Sequence, residues 1–544
     1  MIQRDDNGRR MATRMAGRVA TVAGLCLATL GQAACVTPAG SAVAGAAVGA
    51  PDRPAGDWPA WQKDVRGTRY NPAEAVITPS TVGGLTLKWS FVFRDGDSYG
   101  SQPAVVGETL YVGSPDANVY ALDARTGSTK WVFDRTAIAG PASVRTGPVV
   151  ADGKVIVGDT RGYLYALNAS TGHLVWSLRL ADHVATMVTS SALAFDGKVY
   201  IGVSSREEGI AADASYPCCT SRGQLVSVSL ATGTVLWRRY TLPPARRAGT
   251  WPNGTARYEP AGAMVWSSPA LDPVSRTVFY ATGNNYTGTG GDGDSVIALN
   301  ADTGSLRWKQ QMTHPDVWTV GCIGQPTSEH CPGLENGTNL DYDFGAAPNV
   351  FTVNGRTLVG IGQKSGVYHT FDAMTGQIVW QRQLSIPEPN GGSSGIPWGS
   401  SHDGRRLYVA TWRAKPGTLF ALDPATGDIL WRTPNPADGC TTGGAAAHPE
   451  QCNLSHISAV TSTPGLVYEG SADGKMRIYR AQDGAILWQY DTVRPYTGVN
   501  GESGSGGSIA GNGGAVVSHG MLYVQSGYYS WCGIPGRVLL AFGL

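Results

Sequence analysis

A run of alternating apolar residues, a Thr-Gly turn and a second run ending in tryptophan recur along this chain. Tyr120-Ala-Leu-Asp-Ala-Arg-Thr-Gly-Ser-Thr-Lys-Trp131 and Phe420-Ala-Leu-Asp-Pro-Ala-Thr-Gly-Asp-Ile-Leu-Trp431 are typical copies. Seven copies end at Trp131, Trp176, Trp237, Trp308, Trp380, Trp431 and Trp488, the last with Asp-Gly in place of Thr-Gly. Alternation with a period of two predicts half-buried strands, and a glycine turn between two such runs predicts an antiparallel hairpin. Recurrence at a fixed spacing means that one supersecondary unit decides the fold. Four-stranded antiparallel blades arranged radially bury such tryptophans between neighbours and leave few free edges. The pattern therefore predicts an all-β protein, a β-propeller with tryptophan-docking repeats.

The two ends of the pattern complete each other. Val538-Leu-Leu-Ala-Phe542 reads as the first half of a repeat that stops before its turn and tryptophan. The missing half stands far upstream, in Leu85-Thr-Leu-Lys-Trp89-Ser-Phe91. Seven full units plus one shared by both ends make eight blades, and sharing removes an edge that could unzip. The segments before Trp237, Trp308 and Trp380 are longer than the others, and extra residues in a propeller go into loops, where chemistry is placed.

Composition changes this picture little. Among 544 residues there are 73 glycines and 32 prolines, which suit many short strands and turns. A net charge of +1 gives no electrostatic case for a nucleic-acid partner. The first 35 residues read as an address. Arg4, Arg9, Arg10, Arg14 and Arg18 lead into an apolar run from Val19 to Leu30 that is too short to span a bilayer. Either a cleaved secretory signal or a lipoprotein signal with lipid on Cys35 fits, so the chain is expected to be exported to the periplasm, with the membrane reached only through that lipid. Residues 36–57 then form a flexible tether, and 58–544 the propeller.

Export permits disulfides. Cys322 with Cys331 and Cys440 with Cys452 each bracket one loop and are expected to staple it, while Cys532 is left odd. There is no C-x-x-C-H for a covalent haem and no zinc-ligand spacing.

Five short segments carry unusual residues. Tyr216-Pro-Cys-Cys-Thr-Ser-Arg-Gly223 holds adjacent cysteines, free or bonded elsewhere on one reading, bonded to each other on another. Across a trans peptide their Cα atoms would lie about 3.8 Å apart, below the usual disulfide range, and the closed ring would be stiff with a flat face. Ser204-Ser-Arg-Glu-Glu-Gly209 offers carboxylates for a hard cation such as Ca²⁺. Trp266 stands outside the repeat and is free to stack on a planar ligand, and Asn284 in Thr-Gly-Asn offers an amide oxygen. Leu340-Asp-Tyr-Asp-Phe-Gly345 has two acids suited to a metal or to general-base work, and Lys364 lies in a turn entering a strand. Taken singly, each has a bland reading as a solvated loop or turn.

Together, in this order, they resemble the PQQ-dependent alcohol dehydrogenases, most closely the polyvinyl-alcohol-dehydrogenase-like branch without a haem domain. The likeness runs from about Trp58 to Leu544 and opens with Trp61-Gln-Lys-Asp-x-x-Gly-Thr-Arg-Tyr70. It implies a vicinal Cys218–Cys219 disulfide over one face of the quinone and Trp266 on the other. It implies a cation held by Glu208, Asn284 and Asp341, with Glu207 open as the alternative to Glu208. Asp341 falls at the catalytic aspartate, Leu340 replaces that motif's tryptophan, and Asp343 is the second acid. Lys364 matches the cation at the quinone oxygens; Arg222 and Thr189 match cofactor contacts. The usual first-blade glutamate is absent, with Gly100 in its place, and Arg145 is the candidate to compensate. The resemblance implies PQQ and Ca²⁺ as cofactors (a lanthanide being the alternative ion), an alcohol substrate and a separate electron acceptor such as a soluble cytochrome c. The rival expectation is a non-catalytic propeller lipoprotein acting as an assembly scaffold.

Overall fold

Eight antiparallel sheets of four or five strands are arranged as the blades of an eight-bladed β-propeller. The structure is a computed structural model that describes residues 56–94, 101–140, 142–323, 330–332, 339–387, 394–413, 416–527 and 533–544. The expected signal over 1–35 with Cys35, most of the tether, Gly100 and Cys532 lie outside the described residues. Seven blades are built from strands consecutive in sequence. The eighth joins Thr86–Val92 to Val538–Gly543, Met521–Ser526 and Val516–Ser518, so the shared closure expected from the sequence is present.

The repeat works through one contact made around the ring. Each docking indole donates its N–H to a backbone carbonyl of the next blade: Trp131 to Ala169 at 3.0 Å, Trp308 to Ala373 at 2.9 Å, and Trp431 to Ala481 at 3.0 Å. Trp488 reaches Leu85 at 3.3 Å, and Trp89 reaches Ala124 at 3.2 Å, which carries the belt across the closure. The same ring lies on the turn glycine of the next blade. At Gly172 a Cβ would come within 2.6 Å of Trp131, and its φ of +74° is a left-handed value that favours glycine. Glycine in the turn and tryptophan four residues later are thus one device, because each blade's glycine seats the previous blade's indole.

The segment from Trp58 to Asn71 crosses from blade to blade over their innermost strands. Trp58 pairs with Val105 of the first blade, Val65 accepts from Leu271 of the fourth, and Ser462 of the seventh donates to Arg69. Arg69 is fully buried and bonds Val460, Gln102 and Thr461. The motif Trp61–Tyr70 is therefore a tie between blades. Both loop-bracketing cysteine pairs are bonded, Cys322–Cys331 and Cys440–Cys452, and so are the adjacent Cys218 and Cys219.

Burial has a consequence for acid stability. His369 and His402 are held down to about 4, and His456 to about 3, in each case first by desolvation. An unfolded histidine titrates near 6.5, so between that pH and about 4 the unfolded chain binds more protons and stability falls with falling pH. Each ring can contribute up to about 1.4 kcal/mol per pH unit inside that window. The three rings are expected to keep the NMR signals of neutral imidazole down to about pH 4.5, while the net stability profile also carries the opposite contribution of buried carboxyls that are raised, such as Glu469 and Asp316. Ring signals that titrate near 6.5 in the folded protein would contradict neutral buried rings.

Candidate functional site

At the hub, loops from the third, fourth and fifth blades meet at a cavity of about 540 Å³. Glu208 enters it from the short helix Glu207–Ile210, which follows the strand Lys198–Ser205. Trp266 and Asn284 flank the strand pair Ala270–Asp272 and Thr277–Ala281. Asp341 and Asp343 lie on the connection leading to Asn349–Val353, and Lys364 in the hairpin between Arg356–Gly362 and Val367–Asp372. Six residues scattered over 157 positions of sequence are brought to one wall.

Carboxylate oxygens of Glu208, Asp341 and Asp343 lie within 4.8 Å of one another. Lys364 Nζ donates to Asp341 Oδ1 at 2.6 Å and to Asp343 Oδ2 at 2.8 Å, and sits 5.5 Å from the Trp266 ring centre. Burial works to lower the Lys364 ammonium, but Asp341 and Asp343 outweigh it and hold it raised and charged. Glu208 is pushed well above the usual carboxylate range, first by burial and then by repulsion from Asp343. Behind these groups Asp294 is also raised, and Asp316 is raised to about 7, each mainly by burial. Three carboxylates against one ammonium leave an excess of negative charge that a bound cation would neutralise.

Asn284 shows which way its amide faces. Its Nδ2 donates to the carbonyls of Asn285 at 2.7 Å and Trp318 at 2.8 Å, which turns Oδ1 toward the cavity that the residue lines. Its backbone N–H donates to Asp343 Oδ1, tying the amide to the acids. Trp266 rests against Gly345: a Cβ there would overlap the outer edge of the indole. Glycine at 345 therefore lets the indole seat, with Trp398 edge-on at 6.0 Å. An oriented amide oxygen, a cluster of acids and a seated indole on one cavity fit a hard cation beside a planar anionic guest.

Thr189 and Arg145 also line the cavity. Two of the expected cofactor contacts, the cysteine pair and Arg222, stand outside its lining. Cys218 and Cys219 are fully buried and do not line it; they pack with Ala211, Trp251, Met264 and Tyr286, in a cluster against which Trp266 packs. Their peptide bond is cis, with Cα atoms 3.1 Å apart, where the sequence reading assumed trans. The disulfide thus packs behind Met264 and Tyr286, two residues of the cavity wall. Arg222 is the second: its guanidinium stacks on Tyr240 at 3.6 Å and donates to the Leu242 carbonyl at 3.2 Å, away from the cavity wall.

Glu207 and Glu208 are placed differently. Glu207 is fully buried and accepts from Tyr216 Oη, the Thr220 and Ser221 backbone N–H groups and the Ser221 hydroxyl, whereas Glu208 lines the cavity. Among the wall residues not marked out by the sequence are three tryptophans, Trp318, Trp398 and Trp412. Like Trp266 they lie outside the repeat, so the same criterion would have found them.

Comparison with known proteins gives a consistent result. The family model described as glucose/ethanol/alcohol dehydrogenase, beta-propeller domain (PQQ) matches residues 58–332. A second, described as outer membrane protein assembly factor BamB (PQQ_2), matches residues 363–528. A polyvinylalcohol dehydrogenase of Pseudomonas sp. is 32% identical over 512 residues, covering 90% of this chain and 77% of that protein. The quinohemoprotein alcohol dehydrogenase ADH-IIG of Pseudomonas putida is 26% identical, covering 82% and 70%. A europium-containing methanol dehydrogenase shares the fold, with a TM-score of 0.63 at 19% identity over 90% of this chain and 98% of that one.

Proposed function

The chain belongs to the PQQ-dependent alcohol dehydrogenase family and is an oxidoreductase; on that premise we propose that it oxidises secondary and polymeric alcohols in the hub cavity, beside a bound Ca²⁺ ion. The observation that carries this reading is the convergence of Glu208, Asn284, Asp341, Asp343, Lys364 and Trp266 on one wall. Bound PQQ supplies a two-electron acceptor for hydride, and the cation supplies Lewis acidity. The Glu208 carboxylate, Asn284 Oδ1 and the Asp341 carboxylate would hold the ion. Trp266 gives the planar guest a stacking face. Asp341 takes the hydroxyl proton of the alcohol at a carboxylate oxygen, and Lys364, kept charged by both acids, stabilises negative charge that develops nearby. Thr189 and Arg145, which line the same cavity, would hold polar groups of the guest, Arg145 in the role left open by Gly100.

The similarity to polyvinylalcohol dehydrogenase supports a polymeric alcohol as substrate. Asp343 adds an acid to the cluster, which supports a lanthanide as the alternative ion. Electrons leave to a separate acceptor such as a soluble cytochrome c. Residues 1–35 act as export signal and 36–57 as tether, with the propeller in the periplasm, free or held by lipid on Cys35. The match of the BamB model to residues 363–528 supports a scaffold reading. A scaffold, however, has no use for a buried acid–lysine cluster beside a seated indole.

Reconstitution tests the proposal. Chelator-treated protein given PQQ and Ca²⁺ is expected to gain the absorption of bound PQQ and to reduce a redox dye with 2-butanol or polyvinyl alcohol. Removing the metal again should cost at least about a hundredfold in rate, with recovery on adding Ca²⁺ or La³⁺. Protein that binds no PQQ under any of these conditions would leave the scaffold reading standing.

A further inference from the structure

We infer that Glu207, one residue before the candidate cation ligand, is a positioning residue that holds the cofactor-binding wall through the Cys218–Cys219 loop. The inference rests on the PQQ reading for what the wall binds, but the contacts that carry it belong to this chain alone. Glu207 has no exposed surface, and a carboxylate so buried is retained only where donors surround it. Here they do. Oε1 accepts from Tyr216 Oη at 2.9 Å and from the Thr220 N–H at 2.8 Å, while Oε2 accepts from the Ser221 N–H at 2.7 Å and from the Ser221 hydroxyl. These donors lie on both sides of the cysteine pair, so one carboxylate closes the loop from Tyr216 to Ser221 like a buckle.

The loop passes the constraint to the wall. The Ser221 carbonyl accepts from Gly262 N at 2.9 Å, and the Cys218 carbonyl accepts from Trp251 Nε1 at 3.2 Å. The disulfide packs in the same cluster as Met264 and Tyr286, both of which line the cavity, and Trp266 packs against that cluster. Ala263 N donates to the Asn284 carbonyl at 2.8 Å, so the segment that leads to Trp266 is also tied to the residue whose amide stands at the candidate cation site. On its other side, Glu207 is covalently joined to Glu208. One buried anion thereby fixes the relative position of the stacking indole and a cation ligand without touching either guest.

The test uses the full chain with Glu207→Gln and Tyr216→Phe. Glutamine has the same shape, but its amide NH₂ confronts a backbone N–H where an oxygen accepted before, so at least one donor of the loop loses its partner. Glu207→Gln is expected to weaken PQQ binding, measured by equilibrium titration, by about tenfold or more, with kcat at saturating PQQ within about threefold of the parent. Tyr216→Phe, which removes one donor and keeps the rest, is expected to shift the PQQ dissociation constant by only about two- to fivefold in the same direction. A second readout needs no cofactor: in PQQ-free protein, thiols appearing at Cys218 and Cys219 under a water-soluble phosphine are counted by peptide mass spectrometry. Release should be several-fold faster in both variants than in the parent, while Cys440–Cys452 opens at the parental rate. Unchanged PQQ affinity and unchanged thiol release in Tyr216→Phe would overturn the inference even if Glu207→Gln failed to fold. A fall in kcat with unaltered PQQ affinity would also overturn it, by moving Glu207 into the chemistry. Parent protein that binds no PQQ would defeat the cofactor reading, whereas the thiol readout would still decide the buckle.

Discussion

Asp341→Asn is expected to lower turnover at saturating PQQ, Ca²⁺ and alcohol by about 10²–10⁴-fold while PQQ remains bound with nearly parental affinity. Asparagine keeps the size of the side chain and an oxygen for Lys364 Nζ, which bonds Asp341 Oδ1 at 2.6 Å, but it cannot take up a proton at working pH. The loss should therefore fall on the alcohol-dependent step. It is read as slow bleaching of the bound-cofactor absorption when alcohol is mixed in. Asp343→Asn is the companion variant. Asp343 accepts from Lys364 through Oδ2 and from the Asn284 backbone through Oδ1, so it is engaged in holding the site together. Its substitution is expected to disturb cation affinity more than the chemical step. Full activity in Asp341→Asn, with loss in Asp343→Asn, would reverse the two roles.

How far the sequence could be read depended on the kind of signal. The Thr-Gly-x-x-x-Trp repeat was legible because its two fixed residues make a single contact: the indole of Trp131 needs the bare backbone of Gly172. The closure was legible for the same reason, since Trp89 carries that signal without a complete unit around it. The crossing of Trp58–Asn71 was not, because its bonds reach partners up to several hundred residues away and no local pattern records them. At the site, Glu208, Asn284, Asp341, Asp343, Lys364 and Trp266 do converge. The cysteine pair is bonded but stands outside the cavity lining. Adjacent cysteines announce a stiff ring but not its direction, which depends on Glu207 gathering the flanking donors. The stacking of Arg222 on Tyr240 is equally invisible in the sequence, since nothing in its neighbours reveals that Tyr240 offers it a ring.

Deleting Leu85–Val92 is expected to abolish the cooperative fold of the whole ring. Thr86–Val92 pairs with Val538–Gly543 as one strand of the eighth blade, and the Leu85 carbonyl is what the Trp488 indole of the seventh blade binds. Trp89 then reaches forward to Ala124 of the first blade, so the deletion breaks the belt on both sides of one sheet. Phe91 and Trp89 are buried in the core shared with Leu110, Val112 and Tyr120 of the first blade, and Val92 in the core shared with Tyr468 and Ile478 of the seventh. Removing a single buried aromatic of this kind costs about 3–5 kcal/mol, and native proteins are stable by only about 5–15 kcal/mol. Trp89→Ala alone should therefore shift the urea midpoint markedly, and loss of the whole strand should leave no cooperative transition by far-UV circular dichroism and tryptophan fluorescence. Blades far from the seam, such as the fourth with Trp308, should lose protection from proteolysis together with those beside it. A deletion variant that still melted cooperatively, with cleavage confined to the eighth blade, would show that the ring does not depend on joining its two ends.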